Sequence, residues 1–180
     1  TCFWTRMRDA DVALGVEILG EMIRKPAFRQ DEIDSERHVV LEEINMIEDD
    51  PTDVAHEVFI EALWANHPLA DPILGTGESI TGMAKATIHD YWSHRYTPTS
   101  TVVAVAGNIP KELIPMLEES FGDWQGPAVS RSVEPPTVEP TVRVRTRDTE
   151  QAHIVLGCPS IVRDDDRRFA LTLADHVLGG

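Results

Sequence analysis

The chain has 180 residues, 42% hydrophobic and 26% charged, an ordinary globular balance with room for one domain or one domain and part of another. Its net charge of −15 offers no cationic footprint for nucleic acid and repels anionic membranes, while suiting a cationic ligand or basic peptide. Two cysteines, Cys2 and Cys158, make neither a disulfide framework nor a zinc cluster; they read as plain thiols in a reducing compartment, which leans towards the cytoplasm. No apolar run approaches the roughly 18 residues of a membrane span. The opening TCFWTRMRD is not a secretory signal, and the missing initiator Met and the Gly179-Gly180 end suggest a fragment or a processed piece.

In chain order, residues 9–24 predict a helix, with Asp9 as N-cap, Ala10, Leu14, Ile18 and Met22 at helical spacing, and Pro26 beyond its end. Residues 31–48 predict a second helix capped by Asp31. A third starts at Pro51, with Asp50 as N-cap and Asp53 in its first turn, and runs to about Asn66. Residues 67–83 are rich in Gly and Pro and read as a loop; a fourth helix covers about 84–95. The β-branched run 101–106 (TVVAVA) reads as a buried strand, and Asn108 as the cap of a helix ending near Gly122. Residues 125–140 have a Pro-rich linker composition. Strands are expected at 141–147, where Val142 and Val144 alternate, and at 152–158, with a closing helix over about 166–178. This order predicts an α+β fold, an antiparallel sheet with packed helices. The boundaries expected are 1–124, a linker at 125–140, and 141–180.

The segment that carries chemistry is Glu36-Arg37-His38-Val39-Val40-Leu41-Glu42-Glu43-Ile44. Seven residues turn a helix almost two whole turns, so Glu36 and Glu43 share a face about 10 Å apart, and Glu42 points elsewhere. They border a stripe of Ile33, Val40, Ile44 and Ile47. A carboxylate beside an apolar stripe must be hydrogen-bonded, protonated or bound to a cation, and zinc accepts carboxylate oxygen readily. Glu43 is therefore a candidate metal ligand and Glu36 a candidate auxiliary carboxylate. The plainer alternative is that both are boundary glutamates paired with Arg37 or another basic side chain. One helix cannot supply a tetrahedral site.

The run ERHVVLEEINMIEDDP resembles the pattern Glu-Arg-x-Val-Val-Leu-x-Glu-Ile with an acidic tail found in the inverzincin metallopeptidases, the mitochondrial-processing-peptidase and insulinase family. Further stretches agree in order. MIRKPAFRQDEIDSER is similar to the family's Asn-Pro-x-Phe lead, with Lys25 in the Asn place. HPLADPILGTGESI is similar to its Pro-Leu-Gly-x-Pro-Ile-Leu-Gly-Thr loop, with Ala70 replacing the first Gly. HRYTPTSTVVAVAGNI resembles its Tyr-x-Pro-x-Asn segment, with Ser100 for Asn. EQAHIVLG resembles the start of a second homologous domain. The resemblance implies a partial first domain, a linker and the start of a non-catalytic repeat. It also implies zinc-dependent hydrolysis of unfolded peptides, Glu43 as third Zn2+ ligand, Glu36 assisting catalysis, and a dimer or two-half clamshell around the substrate. The family's other ligands and its general base sit in His-x-x-Glu-His, roughly 75 residues before the ligand Glu. Only 42 residues precede Glu43 here and the motif occurs nowhere in the chain, so the chain as given is expected to be inactive. A non-catalytic scaffold or partner subunit of the same fold is the alternative.

The other candidates read as structural. His38 faces away from Glu43; His56, His153 and His176 lack acidic partners at ligand spacing; His89 and His94 are five apart, wrong for one helical face. His67, before Pro68, is placed to touch substrate. Gly75-Thr76-Gly77 is no phosphate loop, and Ser79 and Ser93 lack a nucleophile-elbow setting. Trp4, Trp64, Trp92 and Trp124 suit core packing, and Asp164-Asp165-Asp166 is a solvated cluster before a helix.

Overall fold

Proline at a helix start, acidic first turns and glycine stops divide the chain into its elements. The computed structural model describes residues 1–130 and 134–179, and among these it forms seven α-helices: α1 Val12–Arg24, α2 Gln30–Asp49, α3 Pro51–Leu63, α4 Gly77–Gly82, α5 Lys85–Arg95, α6 Leu113–Phe121 and α7 Arg168–Leu178. They fall into two compact units. The first comprises Thr1–Glu42 and Thr76–Val133, the second Glu43–Gly75 and Glu134–Gly180.

Among the described residues there is no strand, so the expected α+β fold with an antiparallel sheet is not what the chain forms. Residues 101–106, 141–147 and 152–158 were the strands expected, and all three lack ladder partners. The cause is physical. A β-branched run expresses a preference, but a strand exists only when a second segment takes up its N–H and C=O groups. The side chains show the same lack of partners: Val102 is 91% exposed, Val142 86% and Leu156 90%. The described chain exposes 14703 Å², against about 8,700 Å² for a compact monomer of this mass, so much apolar surface lies open.

Three caps differ from expectation. Asp9 lies in a 3₁₀ turn, Asp9–Asp11, where its carboxylate accepts from the Ala10 N–H (2.9 Å) and the Asn108 amide (2.7 Å). Asn108 is thereby spent, and α6 starts later, at Leu113. The second helix begins at Gln30, whose amide donates to Asp34 (2.9 Å), with Asp31 inside its first turn. The expected loop 67–83 holds a 3₁₀ turn, Pro68–Ala70, and the short helix α4, which a reciprocal Thr76–Ser79 capping box starts. The Asp50 cap behaves as expected, accepting from Thr52 N–H (2.7 Å) and Asp53 N–H (3.4 Å).

In the first unit α1 packs on α6. Gly20 permits the approach, since a Cβ there would meet Ser120 Oγ at 2.1 Å. Arg24, with its side chain 13% exposed, closes the contact: its guanidinium donates to the Ser120 carbonyl and to Asp123 (2.5 Å). Trp92 Nε1 donates to the Ile23 carbonyl (2.8 Å), tying α5 to the end of α1. Thr97 is fully buried, its hydroxyl shared with Thr99 (3.1 Å) and Ser100 (3.2 Å). Leu113 is buried in this unit, and Val54 of α3 in the second. Trp4, expected in a core, is 77% exposed.

Removing the Arg24 guanidinium strands the Ser120 carbonyl at a partly buried contact. Arg24→Ala should cost about 2 kcal/mol by chemical denaturation, the scale of hydrogen bonds from a charged donor. The two N–H groups at Asp50, Thr52 first, hold its carboxyl below the ordinary value of 3.8. A depressed carboxyl contributes stability above its unfolded pKa and loses it as pH falls through the folded one. The melting-temperature gap between wild type and Asp50→Ala should therefore be full at pH 7 and close as pH falls below about 3.8.

Candidate functional site

Helix α2 carries both candidate carboxylates, Glu36 and Glu43, and both are exposed. Neither forms a hydrogen bond or ion pair with any described residue. Ile33, Val40, Ile44 and Ile47 are half-buried, so the apolar stripe beside the glutamates is present as read.

Arg37 was the partner considered for these glutamates, but its guanidinium is engaged elsewhere. It donates to Asp34 (2.7 Å), to the Ile80 carbonyl (3.1 Å) and to the Met83 carbonyl (2.7 Å), the last two at the end of α4. Those acceptors are helix-terminal carbonyls without intrahelical partners, which a planar cation satisfies well. The Arg37 guanidinium, followed by the Gln30 amide, holds the Asp34 carboxyl below the ordinary carboxylate value. The arrangement fixes the rotation of this part of α2 against α4 and leaves Glu36 unengaged.

Within the first unit, Glu36 lines a pocket of about 500 Å³ whose walls include Phe28, Ile33, Val40, Ile80 and Met83. Phe28 is held edge-on to His89 (6.0 Å) and Trp92 (5.8 Å) and adopts φ 43°, an unusual backbone for a bulky residue. The sequence reading passed over Phe28, Arg37 and this ring cluster; Phe28 was visible only as part of the Pro-x-Phe lead. Glu43 lies in the stretch of α2 that belongs to the second unit.

The histidines fall mostly to local structure. His38 Nδ1 lies 2.7 Å from the Asp34 carbonyl, and His56 Nδ1 2.8 Å from the Thr52 carbonyl. His67, expected to touch substrate, is a cap: Nδ1 accepts from the Leu69 N–H (3.1 Å) and Nε2 donates to the Glu134 carbonyl (2.9 Å). His94 stays on its own helix, against Asp90. Among the described residues no three His, Cys, Asp or Glu side chains gather closely enough to hold a metal ion. Glu43 offers one carboxylate where zinc takes about four donors, so the residues present do not make a zinc site by themselves.

Comparison with known proteins places these elements. Residues 1–77 match the family model for insulinase, peptidase family M16, and residues 83–180 match the model for the peptidase M16 inactive domain. An uncharacterized zinc protease of Mycobacterium leprae is 34% identical over the whole chain, which covers 42% of that protein. One from Bacillus subtilis is 33% identical, again over the whole chain and 44% of its own length. The beta subunit of the mitochondrial-processing peptidase of Blastocladiella emersonii is 29% identical over 99% of the chain and 39% of its length. The chain thus spans about two fifths of these relatives. Among solved structures, the first half of the periplasmic protease PqqL from Escherichia coli aligns with a TM-score of 0.64 at 20% identity, covering 74% of this chain and 29% of that one. A protease from Helicobacter pylori aligns with a TM-score of 0.62 at 19% identity, over 73% and 32%. The likeness to the two solved structures is one of fold alone. With one M16 model covering 77 residues that include Glu36 and Glu43, and a second covering most of the remainder, the chain belongs to peptidase family M16.

Proposed function

We propose that this chain is a portion of a zinc-dependent endopeptidase that hydrolyses unfolded peptides. In this reading residues 1–124 belong to its catalytic domain, 125–140 form a linker, and 141–180 begin a non-catalytic repeat. The observation that carries the proposal is the pair Glu36 and Glu43. They stand seven apart on one helix, exposed and unpaired, while the neighbouring Arg37 is fully engaged with Asp34 and two carbonyls. A structural role would have drawn them into ion pairs; open carboxylates beside an apolar stripe are available to a cation or a substrate. The relatives named zinc proteases support zinc as that cation.

Glu43 is assigned as one metal ligand. Glu36 is assigned as the carboxylate that holds and orients polar groups near it, with the apolar pocket around it receiving a peptide side chain. The remaining ligands and the general base belong to a His-x-x-Glu-His segment outside this sequence, and no catalytic step is derived for them. The protein is proposed to work as a dimer or a two-half clamshell. Two exposed free thiols, Cys2 and Cys158, fit a cytoplasmic location. No helix of the described residues is long and apolar enough to cross a membrane. The matched inactive-domain model over residues 83–180 favours a non-catalytic role for that part, and a wholly non-catalytic parent subunit is the rival reading.

In the full-length protein Glu43→Gln should strip most of the zinc measured by atomic absorption and abolish hydrolysis of a fluorogenic peptide; unchanged zinc content would remove Glu43 from the ligand set. Glu36→Gln should keep the zinc and slow turnover by about 100-fold, the range of a lost positioning partner. Wild-type turnover of Glu36→Gln would make that residue a bystander. A wild-type parent that neither binds zinc nor cleaves peptide would establish the rival.

A further inference from the structure

The second unit contains a groove of about 810 Å³ that the peptidase reading leaves unused. One wall is the apolar side of α3, with Val54 buried and Val58 and Phe59 half-buried. The other wall is the stretch 141–156, which has no regular element. Arg143, Arg145 and Arg147 follow one another at alternate positions along it. In a stretch with no helical turn, side chains two residues apart point the same way, so the three guanidiniums form one row. Arg147 is anchored, donating to the Glu48 carbonyl at the end of α2. Arg143 and Arg145 have no hydrogen bond or ion pair among the described residues.

The charge count makes this row exceptional in the molecule. The chain holds 31 acidic and 16 basic residues, yet the groove is lined by three arginines against a single carboxylate, Glu150. His153 also lines it and adds charge on protonation. Arginines in so acidic a chain have many carboxylates to pair with, and two that stay free beside an apolar wall are set up for an external anion. Stretch 141–147 also presents backbone N–H and C=O groups with no ladder partner, which suit an extended peptide.

The geometry points to this groove as a binding site for an extended acidic peptide segment, with Asp or Glu side chains on Arg143 and Arg145 and apolar ones against Val58 and Phe59. Resting on the reading of the chain as part of a peptidase, this names a substrate class: peptides with a carboxylate-bearing stretch held away from Glu43. Electrostatic complementarity of this kind gives selectivity and fast capture, and it is screened by salt because the arginines are exposed.

The test is binding without catalysis, so that a failed peptidase reading leaves it intact. In the full-length protein stripped of metal with a chelator, fluorescence anisotropy is measured with a dye-labelled peptide alternating Glu and Val, and with its Gln-Val and Lys-Val counterparts. The Glu-Val peptide should bind about tenfold tighter than the Gln-Val peptide in 50 mM NaCl, and lose most of that advantage at 500 mM. The double variant Arg143→Gln/Arg145→Gln should abolish the advantage, while Arg143→Lys/Arg145→Lys, which keeps the charge and controls for folding, should retain most of it. Equal binding of the three peptides, or undiminished Glu-Val binding by the glutamine variant, would overturn the proposal. So would equally tight binding of a DNA oligonucleotide of matched charge, which would mean a general polyanion site, or a salt-dependent dimer that occupies the groove and excludes the peptide.

Discussion

The structure depends on one constraint: each backbone N–H and C=O must find a partner, and only a helix finds it inside its own segment. Every regular element described here is helical, and the links between elements are made by side chains reaching for leftover helix-end groups. Arg37 takes the carbonyls of Ile80 and Met83, Arg24 that of Ser120, Arg147 that of Glu48, and Trp92 that of Ile23. A guanidinium suits this task because several donors lie in one plane and its charge complements the negative end of a helix.

That use of arginine governs the candidate site. In a chain of net charge −15, each cation spent on a carbonyl leaves a carboxylate unpaired. Arg37 sits beside Glu36 in sequence, yet its geometry is fixed by α4, so Glu36 stays open beside an apolar pocket. Membership of peptidase family M16 gives such open carboxylates a chemical purpose, and the pair Glu36 and Glu43 is the part of that purpose this chain carries.

The same economy separates the two units in character. In the first, arginines 24 and 37 bind helix ends and the acidic groups stay outward. In the second, Arg143 and Arg145 are left uncommitted along an open groove. A cation without a partner costs little while hydrated, and it becomes favourable for binding only when a ligand displaces that water and supplies a carboxylate.

The sequence by itself determined the helices and the family. Pro51 behind Asp50, the acidic first turn of α2 and the seven-residue spacing of Glu36 and Glu43 act within a few residues of one another. Local rules therefore read them correctly, to within a few residues at the ends. Tertiary structure decided what depends on distant partners. Asn108 went to Asp9 instead of capping α6, His67 became a cap reaching Glu134, and Arg37 turned to α4 instead of the glutamates. The β-branched runs at 101–106, 141–147 and 152–158 formed no sheet, because strand pairing is a contract between two segments and a preference in one of them cannot supply the other's hydrogen bonds.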